Sequence, residues 1–188
     1  SHFQLHSLLN RMFEPRFRYT HKVVTLLTKI AVSREAILAS PLIPKWEVAL
    51  RKEAMIRSAH SSTSIEGNKL SLEDVSQLAH GRTVMGTRKD KQEVLNYLNV
   101  LEKLDSFIKS GELTERSLLN IHKRLTTETL NNESDCGAYR NRRVVVGNRL
   151  TGEIHFVPPP TGQVPELTRD LLVWINSEEA NQLDPVVE

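Results

Sequence analysis

The sequence predicts a mainly α-helical protein with about six or seven helices and one β-hairpin. Three observations lead to this fold class. Apolar residues recur at helical spacing in several segments, and residues typical of helix N-termini stand at the start of two of them. Only one part of the chain has two short strand-like runs separated by a turn.

Two helices are predicted in the N-terminal part of the chain. Apolar residues follow the helical period over Thr20–Ala39, and Pro41 and Pro44 then break the pattern. The composition favours a second helix over about Lys45–Glu66. Gly67 is its expected end, because glycine readily takes the left-handed conformation.

Capping residues mark two further helices. Ser71 and Asp74 form a capping-box-like pair at the start of a helix that reaches about His80. Thr114 caps a later helix whose inward face carries His122. We interpret His122 as a histidine at the edge of the core, because no second histidine or carboxylate stands at metal-ligand spacing on that face. A role as ligand or base is left open.

The most regular helical pattern covers Lys91–Lys109, after a basic loop at Gly81–Asp90. We interpret the loop as an ordinary surface loop, with a phosphate cradle as the alternative. Core packing explains the apolar stripe of the helix. The stripe consists of Val94, Leu98, Leu101, Leu104 and Ile108.

The predicted hairpin lies in the C-terminal half. Arg143–Gly147 and Glu153–Val157 are its strands, and Asn148–Gly152 is the turn. After three prolines, Pro165 suits the first turn of a last complete helix. The side chains expected to face inward from that helix are Leu167, Leu171, Trp174 and Ile175.

Composition limits the classes of function. The 188 residues carry 25 basic and 23 acidic side chains, and the net charge of +2 gives no strong attraction to nucleic acid or membranes. One cysteine, Cys136, excludes an internal disulfide and fits a reducing compartment, so we expect a cytoplasmic protein. No apolar run approaches membrane-spanning length.

The segment Ser62–Asn68 is the strongest functional candidate. Ser62 and Glu66 are four residues apart and share a helix face. Glu66 lies in the last turn, where the helix dipole disfavours an acid by roughly 0.3–1 kcal/mol. This placement suggests a cationic partner elsewhere, which we expect to be an arginine. A plain helix end with a solvated glutamate is the alternative from these residues alone.

The pattern Ser62-x-x-x-Glu66-Gly67 resembles the inhibitory motif of Fic-domain proteins, and Glu93–Tyr97 is similar to another Fic segment. In that family the glutamate pairs with an arginine of the active-site loop and blocks the productive pose of the ATP γ-phosphate. The resemblance implies that Ser62, Glu66 and Gly67 are regulatory and that Glu66 lies beside the nucleotide.

A second group of segments resembles the flap of the Fic domain and extends the resemblance to about residues 45–188. A hairpin that stands off a helical body has an unpaired edge, which can hold an extended target segment by strand addition. An ordinary surface hairpin is the alternative. The segments are Gly137–Arg140, Val144–Val146, His155–Pro160, Val164–Leu167 and Leu171–Trp174.

The resemblance also gives the hairpin residues their expected roles. Those that dock the target are Val144, Val145, Val146 and Ile154. Those that border the nucleotide are His155, Phe156 and Val157.

Fic proteins typically transfer AMP from ATP to a Ser, Thr or Tyr hydroxyl of a protein, with a histidine as general base and Mg²⁺ between the phosphates. The resemblance therefore implies ATP and Mg²⁺ as cofactors and a protein substrate with a hydroxyl side chain. No metal ligand is expected among these 188 residues. A homodimer is left open.

The sequence lacks the catalytic motif of that family, His-Pro-Phe-x-x-Gly-Asn-Gly-Arg. We expect residues 1–80 to be an N-terminal helical region with the inhibitory motif. Residues 81–188 would be the first part of a Fic domain, truncated before the catalytic loop. This chain alone, with no catalytic residue, is expected to be inactive, and the full-length protein to be an AMP transferase restrained by Glu66.

Two other functions remain as alternatives. A non-catalytic helical module could use the hairpin edge to hold a protein partner. A nucleic-acid binder is less favoured, because the charge is nearly balanced and no recognition-helix motif is found. Its candidate contacts are Arg140, Arg142, Arg143 and Arg149.

Overall fold

The structure of the chain is a computed structural model that describes residues 13–41, 44–108, 111–148, 151–184 and 186. This part is mainly helical with one two-stranded sheet, which confirms the predicted fold class. Arg149 lies outside the described residues. The helices are α1 (His21–Ala39), α2 (Pro44–Ile65), α3 (Leu72–Ala79), α4 (Arg88–Glu102), α5 (Glu115–Thr126), α6 (Val164–Ile175) and α7 (Glu178–Asn181). The strands are β1 (Val146–Gly147) and β2 (Ile154–Phe156).

The start of helix α1 is fixed by its N-cap. The helix contributes no residue to the buried core. The hydroxyl of Thr20 accepts a hydrogen bond from the N–H of Val23 at 3.2 Å, and the helix ends at Ala39 as predicted. None of its residues is buried. Across the described ranges, no helix combines the length and the apolar character needed to cross a bilayer.

The core lies where α2, α3 and α4 pack together. Val75 of α3 and Val94 of α4 are fully buried. Removal of these apolar side chains from water is the main force that holds the three helices together. The other buried members are Ile56, Ala59, Leu70, Leu78 and Leu98.

Helix α3 begins with the capping box that the sequence predicts. The hydroxyl oxygen of Ser71 accepts the N–H of Asp74 at 3.1 Å. In return, the Asp74 carboxylate accepts the Ser71 hydroxyl at 2.6 Å and the Ser71 N–H at 3.0 Å. These two hydrogen bonds, the hydroxyl first, hold the pKa of Asp74 below its ordinary value.

Helix α4 begins earlier than predicted. Its first residue is Arg88 rather than Lys91, because the hydroxyl of Thr87 accepts the N–H of Asp90 at 3.0 Å and caps the helix there. The predicted loop at Gly81–Asp90 is correspondingly shorter.

Helix α4 also ends earlier than predicted, at Glu102 rather than at Lys109, which lies outside the described residues. A separate 3₁₀ turn, Leu104–Ser106, follows it. Leu104 is 41% exposed and does not continue the buried stripe, whereas Val100 is buried. Because the α-helix ends at Glu102, its period no longer decides which side chains after that residue face inward.

Helices α5 and α6 pack on each other. Thr114 caps α5 as predicted, by accepting the N–H of Ser117 at 3.1 Å. The side chain of Asn176, after α6, accepts the N–H of Leu113 and donates to its carbonyl oxygen, both at 2.9 Å. The start of α5 is thereby tied to the end of α6.

Helix α6 carries Pro165 in its first turn, as predicted. In its later turns Leu172 and Trp174 are buried, away from the core formed by α2, α3 and α4. Leu167 is 40% exposed, so the prediction that it faces inward is wrong. Periodicity identifies the apolar face of a helix, but it does not say which turns have a neighbour to pack on.

The hairpin exists where the sequence predicts it, but its strands are shorter. The two strands are antiparallel and pair Val146 with Phe156 and Gly147 with Ile154, with an irregularity between Val146 and Gly147. Residues 143–145, 153 and 157 are not strand, because ladder pairing continues only where a partner backbone is in register.

Candidate functional site

Helix α2 ends in the segment that the sequence singles out. Gly67 has a φ of +92°, and the N–H groups of Gly67 and Asn68 donate to the carbonyl oxygens of Ser64 and Thr63, both at 3.0 Å. This is the hydrogen-bond pattern of a Schellman motif. Gly67 therefore ends the helix as predicted, and Glu66 is the residue just before the left-handed turn.

The Glu66 side chain is exposed at this helix end. Within the described ranges its carboxylate takes part in no hydrogen bond or ion pair. It lies at the negative end of the α2 dipole, which opposes its charge. The arginine expected as its partner is not found in the described part of the chain, so that pairing stays a prediction.

Ser62, one turn before Glu66, is held by α4. The hydroxyl groups of Ser62 and Tyr97 are hydrogen-bonded at 2.8 Å, and both side chains are half-buried. The ring of Tyr97 also packs against the core. The face of α2 that carries Ser62 is therefore anchored on α4.

Asn68, two residues after Glu66, is held by α4 as well. Its buried side-chain amide donates to the carbonyl oxygen of Asp90 at 2.8 Å and to a carboxylate oxygen of Glu93 at 2.9 Å. Its side-chain oxygen accepts the N–H of Leu70 at 3.1 Å. The two anchors thus stand on either side of Glu66.

Neither anchor is predicted from the sequence. Tyr97 enters the sequence prediction only within the Fic-like segment Glu93–Tyr97, and Asn68 has no predicted partner. Ser62 and Tyr97 are 35 residues apart, and Asn68 and Glu93 are 25 apart. No short-range pattern marks such pairs, because they form only when α2 and α4 are packed.

The hairpin presents an exposed apolar surface. In the described residues its sheet has two strands only, so each strand has an outer edge without a strand partner. Val144 is half-buried at its base. His155 is exposed, with its Nδ1 3.8 Å from a carboxylate oxygen of Glu153. The other predicted hairpin site residues, all exposed, are Val145, Val146, Ile154, Phe156 and Val157.

Internal contacts fix the base of the hairpin. The Arg140 guanidinium donates to the carbonyl oxygens of Arg142 and Pro159, and so joins the chain before β1 to the chain after β2. The guanidinium of Arg142 pairs with the carboxylate of Asp135 at 2.8 Å. Two of the four arginines considered for nucleic-acid binding are therefore used in contacts within the chain.

Tyr139 connects the same region to α5. Its hydroxyl donates to a carboxylate oxygen of Glu115 at 2.9 Å. Burial, and next this hydrogen bond to a carboxylate, raise the pKa of Tyr139 above its ordinary value.

His122 has a structural contact. Its Nδ1 accepts the N–H of Gly137 at 3.0 Å, and the imidazole is half-buried. Gly137 has a φ of +72°, which presents this N–H to the ring. The contact agrees with the interpretation of His122 as a histidine at the edge of the core.

The structure does not join the two predicted parts of the site. Within the described ranges, no hydrogen bond or ion pair connects Ser62–Gly67 with β1 or β2. The same ranges hold no group of three or more His, Cys, Asp or Glu side chains able to bind a metal ion. Closeness of Glu66 to His155–Val157 stays a prediction.

Two curated proteins that the chain resembles share one name with each other. The chain is 27% identical over 184 residues to "Protein adenylyltransferase Fic" of Drosophila grimshawi and 25% identical over 166 residues to that of Drosophila mojavensis. The matches cover 93% and 85% of this chain but 36% and 31% of those proteins. The chain thus spans about a third of the length of these relatives. No family model matches the chain.

Two solved structures share the fold. A Fic family protein from Desulfovibrio desulfuricans G20 superposes with a TM-score of 0.70 at 29% identity, covering 93% of this chain and 50% of that one. A Fic domain containing signaling protein from Bacteroides thetaiotaomicron VPI-5482 also gives 0.70, at 22% identity, with 85% and 59% covered. The second match bears on the fold alone.

The fold is thus a Fic-type helical bundle with one β-hairpin. The curated relatives and the solved structures that the chain resembles are all Fic proteins, and both comparisons support a Fic-domain protein.

Proposed function

We propose that the whole protein is a protein adenylyltransferase, which moves AMP from ATP to a Ser, Thr or Tyr hydroxyl of a protein, and that Glu66 restrains this activity. The names of the relatives support the class of reaction. The observation that carries the restraint is the placement of Ser62–Gly67. This motif ends a helix packed on α4 and leaves the Glu66 carboxylate exposed, without a partner in the described ranges.

The restraint has a simple electrostatic basis. A carboxylate at the negative end of a helix gains from a guanidinium partner, and an arginine–carboxylate pair is among the stronger hydrogen-bonded contacts in proteins. An arginine that Glu66 holds in this way is not free to bind the γ-phosphate of ATP. When bound, ATP would supply the AMP group and release pyrophosphate, and Mg²⁺ would neutralise the charge of the phosphates.

We assign substrate docking to the hairpin. Its unpaired strand edge would hold an extended segment of the target protein, so that backbone hydrogen bonds align the hydroxyl group. The docking residues in this proposal are Val144, Val145, Val146 and Ile154. The residues that would border the nucleotide are His155, Phe156 and Val157.

The two parts of the chain would have different roles. Residues 1–80 would form the helical region with the inhibitory motif, and residues 81–188 the first part of the Fic domain. The single cysteine, Cys136, fits a reducing compartment, and we propose the cytoplasm as the location.

The test is AMP transfer by the whole protein, measured with Mg²⁺ and ATP labelled at the α-phosphate. Glu66→Gly and Glu66→Gln should each raise the rate by about tenfold or more, since a hydrogen bond to a charged group contributes about 1.5–3 kcal/mol. Glu102→Gly is the matched control, because Glu102 is also an exposed glutamate at a helix C-terminus. The 188 residues alone should give no labelling.

The outcomes separate the two parts of the proposal. Equal rates for the parent and both Glu66 variants would remove the restraint. Absence of labelling in every variant would remove the transferase activity and favour a non-catalytic module that binds proteins through the hairpin. The exposed apolar side chains of Ile154 and Phe156 are the observation behind that second function.

A further inference from the structure

We propose that Tyr97 and Glu93 are positioning residues for Glu66. The Tyr97 hydroxyl acts through Ser62, and the Glu93 carboxylate acts through Asn68. Together they hold the end of α2 against α4, so that the Glu66 carboxylate reaches its arginine in one orientation. This inference rests on the proposed restraint by Glu66 and names the residues that set its strength.

The first anchor fixes the rotation of the last turn of α2. Ser62 and Glu66 are four residues apart and lie on the same helix face. The hydrogen bond of 2.8 Å between the hydroxyls of Ser62 and Tyr97 therefore holds the face from which Glu66 projects.

The second anchor fixes the chain after the turn. Asn68 binds the Glu93 carboxylate at 2.9 Å and the Asp90 carbonyl oxygen at 2.8 Å. Glu93 and Tyr97 are themselves four residues apart on α4, so both anchors use one face of that helix.

Glu66 depends on this support, because its own side chain has no contact that would orient it within the described ranges. A guanidinium and a carboxylate bind best in one planar, two-point geometry. A small rotation or shift of the α2 end would weaken such a pair without unfolding the helix.

Tyr97→Phe removes the hydroxyl and keeps the ring, which packs on the core. A neutral hydrogen bond contributes about 0.5–1.5 kcal/mol, or about two- to tenfold in an equilibrium. We expect Tyr97→Phe and Ser62→Ala each to raise AMP transfer by the whole protein by about two- to tenfold. The double variant should exceed neither by much, because both changes break the same hydrogen bond.

The decisive comparison uses two backgrounds, Glu66 and Glu66→Gly. Tyr97→Phe should raise the rate only where Glu66 is present. Tyr19→Phe is the control, because it is the same chemical change at an exposed tyrosine whose hydroxyl has no hydrogen bond in the described ranges.

If Glu66→Gly raises the rate of AMP transfer and Tyr97→Phe does not, the inference is overturned and the proposed function stands. If Tyr97→Phe lowers the rate of AMP transfer equally with Glu66 and with Glu66→Gly, the inference is also overturned. An equal loss is the effect expected of a tyrosine that only stabilises the fold. No rise with Glu66→Gly overturns the proposed restraint itself, and this inference with it.

Discussion

The side-chain amide of Asn68 and the carboxylate of Glu93 lie 2.9 Å apart, and they join the turn after α2 to the second turn of α4. Asn68 is buried, and its other polar contacts go to backbone groups of Asp90 and Leu70. One side chain thus satisfies two acceptors and one donor at the point where the candidate regulatory segment leaves its helix.

Asn68→Ala should therefore destabilise the chain. Three groups lose a partner, but only the contact with the Leu70 N–H is buried, and one buried unsatisfied group costs about 1–3 kcal/mol. Urea denaturation should show a loss of about 1–3 kcal/mol. Asn68→Asp should cost more at neutral pH, because it places a second carboxylate beside Glu93. Asn99→Ala, at an exposed asparagine of α4, should change stability little. Equal effects of the two alanine variants would contradict the assigned role of Asn68.

The raised pKa of Tyr139 predicts that the stability of the fold changes with pH in the alkaline range. Its folded-state pKa is raised above the ordinary value of 10.0 by burial and by the hydrogen bond to Glu115. The stability contributed by this tyrosine is therefore complete below about pH 10 and is lost as the pH rises through its folded-state pKa. Tyr139→Phe should be less stable at neutral pH, and the gap to the parent should narrow above pH 10. A gap that stays constant up to pH 11 would argue against this.

Gly137 should not tolerate a side chain. A Cβ there would lie 2.7 Å from the Cβ of Lys123 and 2.9 Å from the carbonyl oxygen of Leu119. Gly152 has the same φ of +72° but open space around it. Gly152→Ala should cost only the left-handed backbone penalty, about 1–2 kcal/mol. Gly137→Ala should cost more, since the clash also displaces the N–H that His122 accepts. Equal melting temperatures for the two variants would contradict the close packing.

The lowered pKa of Asp74 in the capping box of α3 predicts that the stability of the fold changes with pH in the acidic range. The folded-state pKa of Asp74 is lowered by the Ser71 hydroxyl and N–H, so its contribution is present above the ordinary pKa of 3.8 and is lost as the pH falls through the lowered pKa. Ser71→Ala should destabilise the chain by about 1 kcal/mol, the usual cost of a lost N-cap. Its difference from the parent should shrink below pH 3.8. Ser58→Ala, at an exposed serine inside α2, serves as the control.

The sequence predicts best what is decided locally. The caps at Ser71 and Thr114 and the left-handed stop at Gly67 depend on neighbours within a few residues, and the structure confirms all three. The sequence does not predict the contacts and element lengths that depend on the packing of distant segments. The Ser62–Tyr97 hydrogen bond requires two helices to meet, and the length of the hairpin strands depends on register with a partner.

The stripe of α4 shows the limit of periodicity most clearly. Leu98 and Leu104 both fit the apolar pattern of the sequence, yet the structure buries the first and leaves the second 41% exposed. The difference arises because α4 ends at Glu102 and Leu104 lies in a separate 3₁₀ turn, where the α-helical period no longer applies.

The same substitution at these two leucines therefore separates the periodic pattern from the structure. Leu98→Ala should lower the free energy of unfolding by about 2–5 kcal/mol, because it opens a cavity in the core formed by α2, α3 and α4. Leu104→Ala should cost less than about 1 kcal/mol, since much of that side chain already meets water. Urea titration of both variants with a shared m-value gives the comparison. Comparable losses would mean that α4 continues past Glu102 and buries Leu104, as the periodic pattern alone predicts.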